Sequence, residues 1–437
     1  MISFLNKYIM LPVLPVAVVL FGLYFLLRSR LFLPKRLNAG IRSLFSKNTN
    51  DGVSPIAALT VALAGTLGVG NIAGVSVAIT LGGAGAVFWM WTGAFFSMWI
   101  KYAEVVLAVR YRRCEDGKNI GGPMYYILHG LGSKRLSVLF CIFCIASSLG
   151  SGCVIQSNSA SSALYIQYGI PPYVTGCVLG ILCGVIVLGG VGAISRFTMK
   201  TVPVMSFLFL FISLFIIFTN IPDAIRAFGE IFSSAFGIKS IGGGVTGAVV
   251  AQSIKQGMAK GSLSHEAGAG TSPISHASSN TKSPVEQGFL GIFEVFADTI
   301  VMCTVTALVV LIACDKASFS DPYNGMAVTQ SSYGVFLGEA AHHMIAVSTL
   351  FFAFAALICW SYYGICCVEY LTDDKRFSSL YLVLYCIFIA VGAVIRPEFM
   401  WELTDFFTCA LIFINVPVLF SLRGEVIAET EKYFLER

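Results

Sequence analysis

The stretch PIAALTVALAGTLGVGNIAGVSVAIT, residues 55–80, decides the fold of this chain. It is apolar over most of its length and longer than the roughly 20 helical residues that cross a bilayer. Its middle contains closely spaced glycines and two polar residues: Gly65, Thr66, Gly68, Gly70, Asn71 and Gly74. Because each interior glycine costs a helix roughly 1 kcal/mol relative to alanine, the stretch predicts a membrane helix that is interrupted near its centre.

A helix interrupted inside a membrane frees backbone groups that must find partners. Irregular backbone therefore persists there only beside a cavity, a ligand or other protein. The half-helix ends offer amide groups at one N-terminus and carbonyls at the other C-terminus, which suit a carboxylate and a small cation. The alternative is that the glycines allow two helices to pack closely through small residues, and this stretch by itself favours neither.

The composition indicates the class of protein. The 437 residues are 57% hydrophobic and 12% charged, whereas soluble domains carry roughly 25% charged residues. We therefore predict a polytopic membrane protein. The net charge of +5 does not indicate a nucleic-acid partner, because the basic residues mostly flank apolar runs. Cys141-x-x-Cys144 has metal or redox spacing, but no second pair or histidine accompanies it, so we interpret it as structural.

The apolar runs predict eleven spans, at 11–27, 55–80, 86–108, 137–163, 173–191, 202–219, 241–278, 287–314, 343–370, 380–394 and 399–420. The first run is interpreted as a retained span and not a signal peptide, because Arg28 and Arg30 close it without a small-residue cleavage pattern. The mixed basic and apolar stretch 31–46 predicts an interfacial helix.

The spans are expected to form one polytopic membrane domain over 1–437. Its predicted parts are the leading and interfacial helices (1–52), a first five-helix repeat (53–219), a second five-helix repeat (241–421) and a cytoplasmic tail (422–437). Most loop lysines and arginines fall on one side of the membrane if the N-terminus is outside. The positive-inside rule therefore predicts an inner (plasma) membrane protein with a cytoplasmic C-terminus.

A second interrupted span is predicted at AQSIKQGMAKGSLSHEAGAGTSPISHASS, residues 251–279. Charged groups at membrane depth are costly and usually mark function. The span contains charged and helix-breaking residues: Lys255, Lys260, His265, Glu266, Gly268, Gly270 and Pro273. After the leading span this is the sixth helix and the glycine-rich one is the first, and such paired interruptions are typical of inverted-repeat transporters. The alternative is a polar loop beside the next span. Asp298 and Glu294 in that next span either pair with these bases or face a polar bundle interior.

Five motifs carry a resemblance to a known family. They are GTLGVGNIAG (65–74), GAVFWMW (85–91), GGPMYYI (121–127), GMAKGSLSHEAGAGTSPISHA (257–277) and CWSYYG (359–364). In order and content the chain resembles the alanine or glycine:cation symporter family, which has the leucine-transporter fold. The resemblance implies an all-α membrane protein of eleven transmembrane helices. One helix leads, and the others form a 5+5 inverted repeat with broken first and sixth core helices.

The same resemblance implies a secondary active symporter that imports small neutral amino acids, chiefly alanine and glycine, by alternating access with sodium. The substrate carboxylate would meet backbone amides of the first break, at Gly68, Val69, Gly70 and Asn71. Gln156 is similar to the family's polar contact to the substrate, although an interhelical hydrogen bond is the alternative role. Met258 to Leu263, including Ala259 and Gly261, would form the facing wall and leave room only for a small side chain.

Sodium is the coupling ion that the resemblance implies. One ion would lie near Asn71 and the carbonyl of Thr66. A second would lie between carbonyls near Ala64 and Leu67 and two hydroxyls of the eighth helix.

Three positions depart from the family pattern. The family usually has asparagine in place of His265 and of Cys153, and a serine or threonine pair in place of Ala355 and Ala356. The alanines have no oxygen to offer sodium, so we expect coupling to one sodium ion or to a proton. Because histidine titrates near neutral pH, His265 is the candidate proton carrier.

Other classes fit the sequence less well. A proton-coupled or uncoupled amino-acid permease of the same fold is the alternative. An ion channel needs a pore lined by repeated polar rings, whereas this chain has two unlike interruptions. Ser264, His265 and Glu266 resemble a catalytic triad only in composition, because consecutive helical residues point to different faces. We therefore expect no enzyme, no cofactor beyond the coupling ion, and a monomer that contacts the lipid bilayer.

Overall fold

The computed structural model describes residues 2–31, 36, 53–115, 117–237, 246–314 and 321–436. The predicted interfacial helix at 31–46 therefore lies almost wholly outside the described residues. The first helices are α1 (Ile2–Ser29), α2 (Pro55–Thr66), α3 (Ala73–Gly82), α4 (Gly85–Arg110), α5 (Pro123–Gly130), α6 (Lys134–Tyr168), α7 (Pro172–Val187), α8 (Gly190–Thr219) and α9 (Ile221–Ala235). The later helices are α10 (Thr246–His265), α11 (Ser272–Ala277), α12 (Pro284–Ala313), α13 (Gly325–Leu337), α14 (Glu339–Leu371), α15 (Lys375–Gly392), α16 (Pro397–Ser421) and α17 (Arg423–Leu435).

Eight helices of the described chain are long and apolar enough to cross a membrane. They are α1, α4, α6, α8, α12, α14, α15 and α16, and shorter apolar helices are α2, α3 and α7. Large apolar side chains are exposed on the outer helices, for example Ile181 on α7 and Phe207 on α8, each 68% exposed. Exposed apolar surface of this extent is expected where lipid replaces water. The predicted class, a helical multi-pass membrane protein, is confirmed.

Two gaps between helices lie within the stretches 55–80 and 251–279. The first half-helix, α2, begins with Pro55 and is capped by Ser54, whose hydroxyl accepts a hydrogen bond from the Ala57 amide. It ends at Thr66, and a short 3-10 turn, Val69–Asn71, precedes α3. The second gap separates α10, which ends at His265, from α11, which begins at Ser272.

Two long helices contain π-helical turns, at Ser148–Gly152 in α6 and Phe296–Cys303 in α12. Such turns insert an extra residue per turn and occur frequently at functional sites. The first turn immediately precedes the segment that carries Gln156, and the second contains Asp298. The turns therefore change the direction of side chains at the depth of the two gaps.

Helix α4 is central and packs against α10, α12 and α1. Helix α9 lies between the two predicted repeats, and its Phe228 ring packs near the Trp91 ring of α4. The expected tail forms α17, where the Thr430 hydroxyl lies 2.8 Å from the Tyr102 hydroxyl of α4. A small departure from an all-α fold is an antiparallel hairpin of β1 (Arg113–Glu115) and β2 (Lys118–Ile120).

Candidate functional site

The two gaps and the middle of α6 enclose a small cavity. Its lining residues are Gly65, Thr66, Gly70, Ser151, Ile155, Gln156, Leu263, Glu266 and Trp360. The cavity volume is about 10 Å³, which is room for about one water molecule. Any larger ligand therefore requires the flexible wall, meaning Gln156, Leu263 or Trp360, to move.

Gln156 is held against the first gap. Its Oε1 accepts a hydrogen bond from the Val69 amide at 3.1 Å, and the side chain is 5% exposed. A Cβ added at Gly68 would lie 2.7 Å from Gln156 Nε2, so glycine is needed for this close approach. This hydrogen bond joins α6 to the first gap, as the interhelical role of Gln156 requires. It does not exclude a substrate contact, because the same carboxamide can release the Val69 amide and bind a ligand.

Asn71 lies at the end of the 3-10 turn and bonds to α12. Its Nδ2 donates to Asp298 Oδ1 at 2.7 Å and to the Asp298 carbonyl at 3.0 Å. Asn71 Oδ1 is buried without a hydrogen-bond partner among the described residues. An unpartnered buried amide oxygen costs free energy unless a donor or a cation completes its contacts.

Asp298 is fully buried and joins both gaps. Its Oδ1 accepts from Asn71, and its Oδ2 accepts from the Ser264 hydroxyl at 2.8 Å and the Thr299 hydroxyl at 2.7 Å. All three donors are neutral, so the described neighbours provide hydrogen bonds but no ion pair. A buried carboxylate beside an unpartnered amide oxygen is chemistry that suits a hard cation such as sodium.

Cys359 and Tyr363 lie on the face of α14 toward α2, and helical spacing puts Ala356 one turn before Cys359 on the same side. Cys359 Sγ donates to the Val61 carbonyl at 2.9 Å, and a Cβ added at Gly65 would meet the Tyr363 hydroxyl. Ala355 and Ala356 are fully buried, and the Ser361 hydroxyl bonds to its own helix at the Ile358 carbonyl. Serine and threonine hydroxyls are therefore missing from this face of α14 where it meets the half-helix with Ala64 and Leu67.

His265 is the last residue of α10 and is fully buried. Its Nδ1 accepts a hydrogen bond from the Ala267 amide at 3.0 Å, while Nε2 has no partner among the described residues. His265 does not line the cavity, and neither does Met258, whose sulfur packs against Gly93 of α4. Leu263, by contrast, forms part of the cavity wall.

Glu294 and Asp298 of α12 have different kinds of partner, and neither pairs with Lys255, Lys260 or His265 among the described residues. Lys260 of α10 bonds to both oxygens of Asp405 on α16, at 2.7 and 2.8 Å. Glu294 bonds to Lys101 of α4 at 3.4 Å and to His276 of α11 at 2.8 Å. The polar groups of α12 are therefore divided, with Glu294 in an ionic network and Asp298 in the cluster between the gaps.

Sequence reasoning missed the roles of Asp298, Ser264 and Glu266 at this site. Glu266 lines the cavity, and its Oε2 accepts a hydrogen bond from the Thr271 hydroxyl at 2.5 Å. The sequence does contain one indication of a role for Asp298, namely a charged residue inside the apolar run 287–314. Its partners Asn71 and Ser264, however, are 227 and 34 positions away in the sequence.

Sequence comparisons with known proteins identify the family to which the chain is similar. The sequence model of the sodium:alanine symporter family matches residues 1–437. The sodium/alanine symporter AgcS of Methanococcus maripaludis is 37% identical, over 99% of this chain and 96% of that protein. The putative sodium/proton-dependent alanine carrier protein YrbD of Bacillus subtilis is 33% identical, over 96% of this chain and 89% of that one. The probable sodium/glutamine symporter GlnT of the same organism is 32% identical, over 94% and 86%.

Solved structures show the same fold at low sequence identity. The crystal structure of MhsT in complex with L-phenylalanine superposes with a TM-score of 0.59 at 14% identity, covering 89% of this chain and 99% of that one. A manganese transporter of Eremococcus coleocola gives a TM-score of 0.57 at 13% identity, over 86% and 80%.

Proposed function

The chain belongs to the sodium:alanine symporter family and is a multi-pass membrane transporter of amino acids, not an enzyme; we propose that it imports alanine and glycine together with sodium. The observation that carries this proposal is the cavity between the two gaps. Glycine backbone forms one side, and Gln156, Leu263 or Trp360 must move to admit a substrate, so a small side chain requires the least movement. Larger side chains would overpack the site, which typically costs 1–3 kcal/mol.

The substrate carboxylate is proposed to bind at the first gap. There the amides of Gly68, Val69 and Gly70 precede α3, and the N-terminal end of a helix attracts negative charge. Gln156 now satisfies the Val69 amide. Substrate entry would replace this hydrogen bond, so that Gln156 turns its amide group toward the substrate.

The coupling sodium ion is proposed to bind at Asn71 Oδ1, with the Asp298 carboxylate and the Thr66 carbonyl nearby. The support is the unpartnered Asn71 oxygen beside a fully buried carboxylate. The second family site, at the carbonyls of Ala64 and Leu67, would lack hydroxyl ligands because α14 presents alanines there. We therefore expect a Hill coefficient of about one for sodium.

The arrangement in the membrane is also a proposal. Eight spans would be the long apolar helices. Three more would come from the α2–α3 pair, from α7 and from the α10–α11 pair. This gives eleven spans, one leading helix and a ten-helix inverted repeat. The charge bias places the N-terminus outside and the C-terminus in the cytoplasm. An alkaline phosphatase fused after Arg437 is expected to be inactive, and an active fusion would contradict this orientation.

Uptake of labelled alanine into proteoliposomes tests the proposal. An inward sodium gradient should drive accumulation, and unlabelled glycine should compete while leucine and phenylalanine should not. Equal competition by phenylalanine would refute the small-substrate assignment. Uptake that does not respond to sodium would refute sodium coupling.

A proton-coupled or uncoupled permease is the second candidate. It is favoured by the missing α14 hydroxyls and by the free Nε2 of His265. An imposed pH gradient without sodium separates the two candidates, because only a proton-coupled carrier accumulates alanine under that condition. A sodium Hill coefficient of about two with no response to pH would refute the interpretation of Ala355 and Ala356.

A further inference from the structure

Glu266 is the charged residue of the cavity wall. Among the described residues that line the cavity, it carries the only charged side chain, and it is 3% exposed. The described ion pairs account for Lys101, Glu294, Lys260 and Asp405 elsewhere. A carboxylate facing a cavity without a basic partner costs free energy unless a cation visits that cavity.

The backbone at Glu266 is unusual. Its φ is 52°, and only one other non-glycine residue of the described chain, Arg30, has a positive φ. A residue with a Cβ is strained in this region, and such strain persists where the surroundings or the function demand it. Glycine would relieve the strain but would remove the carboxylate from the cavity wall.

The carboxyl group is fixed on one side only. The Thr271 hydroxyl donates to Oε2 at 2.5 Å, and Oε1 receives no hydrogen bond from the described residues. The helix ends around it add to the negative potential. Helix α10 ends at His265 and α2 ends at Thr66, so both C-terminal ends, with their partial negative charges, meet at the cavity.

An amino acid carries two opposite charges, and the carboxylate is assigned to the amides of the first gap. We propose that Glu266 binds the α-ammonium group of the substrate through Oε1, and this assignment rests on the proposed function. The cavity would then recognise both charges, with amides at Gly68 to Gly70 for the anion and Glu266 for the cation. The ligand class is thereby limited to zwitterions with a free α-ammonium group, and monocarboxylates of equal size are rejected.

Equilibrium binding to the purified protein in sodium buffer tests this assignment. Labelled alanine is displaced by unlabelled alanine or by propionate, which has the same carboxylate and methyl group without the ammonium. In Glu266→Gln the alanine affinity should fall about 10- to 100-fold, the range for losing a hydrogen bond to a charged group. The propionate affinity should change little, so the preference for alanine collapses.

Matched variants exclude a general loss of structure. Glu104→Gln removes a charge that is fully buried and bonded to Asn415 Nδ2 at 2.7 Å but does not line the cavity. It should keep the preference for alanine. Thr271→Val leaves the Glu266 charge in place and should weaken alanine binding less than Glu266→Gln does. Binding of radiolabelled sodium without alanine should be unchanged in monodisperse Glu266→Gln.

The outcomes separate this inference from the proposed function. If the unmodified protein binds neither alanine nor glycine in sodium, the proposed function is wrong. If it binds alanine but Glu266→Gln keeps the full preference over propionate, the Glu266 assignment alone is overturned. Loss of sodium binding in monodisperse Glu266→Gln would also overturn it, because Glu266 would then act on the ion.

Discussion

Replacing Asp298 with asparagine should raise the sodium concentration needed for transport. Asp298 Oδ1 faces Asn71 Nδ2, whereas Oδ2 faces the hydroxyls of Ser264 and Thr299. Hydroxyl groups can rotate to accept hydrogen bonds, so the new amide nitrogen fits on their side. The contact to Asn71 is then kept, and the main change is the loss of one negative charge.

The size of the effect follows from Coulomb's law. Two opposite unit charges 4 Å apart attract by about 4 kcal/mol at an effective dielectric constant of about 20. The amide oxygen of asparagine still ligates a cation, so part of the binding energy remains. We expect a rise in half-saturating sodium of about 10²- to 10³-fold, since each 1.4 kcal/mol is tenfold.

The assay is uptake of labelled alanine into proteoliposomes over a range of external sodium, with radiolabelled sodium binding to the purified protein beside it. Thr299→Val is the matched control, because it removes one donor to Asp298 but leaves the charge. The hydrogen bond that it removes is present with and without sodium, so the control should shift the sodium dependence much less than Asp298→Asn does. Unchanged half-saturation in Asp298→Asn at normal protein levels would refute the placement of sodium at this cluster.

Further variants test other parts of the site. Asn71→Ala should abolish sodium-driven uptake without reducing the amount of folded protein, because it removes the unpartnered amide oxygen; near-normal uptake would exclude Asn71 as a ligand. Gly68→Ala should lower alanine uptake at least tenfold, about the effect of 1.4 kcal/mol, since its Cβ displaces the Gln156 carboxamide; uptake close to that of the unmodified protein would contradict the role proposed for Gln156. Lys260→Met should destabilise the protein by about 3–5 kcal/mol because Asp405 is left buried without its partner. Thermal unfolding, monitored by size-exclusion chromatography, should show that Lys260→Met/Asp405→Leu recovers stability. Equal stability of the two variants would contradict this.

The first gap could be predicted from the sequence because its cause is local. Glycines crowd a short stretch of residues 55–80, and the structure leaves helical geometry between Thr66 and Ala73. The class of protein was equally accessible, since it depends on composition and on the length of apolar runs. The apolar runs did not predict helix α9, because it is amphipathic and its polar residues interrupt any continuous apolar run; it packs against α4.

The partners of the buried charges could not be predicted from spacing. Lys260 and Asp405 are 145 positions apart, and Asn71 and Asp298 are 227 apart. Both contacts depend on how the helices cross and on the π-helical turn of α12, which shifts the direction of the Asp298 side chain. A single sequence gives the residue types at membrane depth but not which of them face one another.

The cavity wall consists of two kinds of residue, and this limits how its substrate range can be altered. At Gly65 a new Cβ would lie 2.8 Å from the Tyr363 hydroxyl, so this position tolerates little variation. Leu263, Ile155 and Trp360 contribute side chains that can be shortened. Directed evolution toward bulkier amino acids should therefore accumulate changes at the latter three positions. The backbone of the gaps would stay unchanged. Substitutions at these three side chains alone could then give proteins of one fold that transport different amino acids.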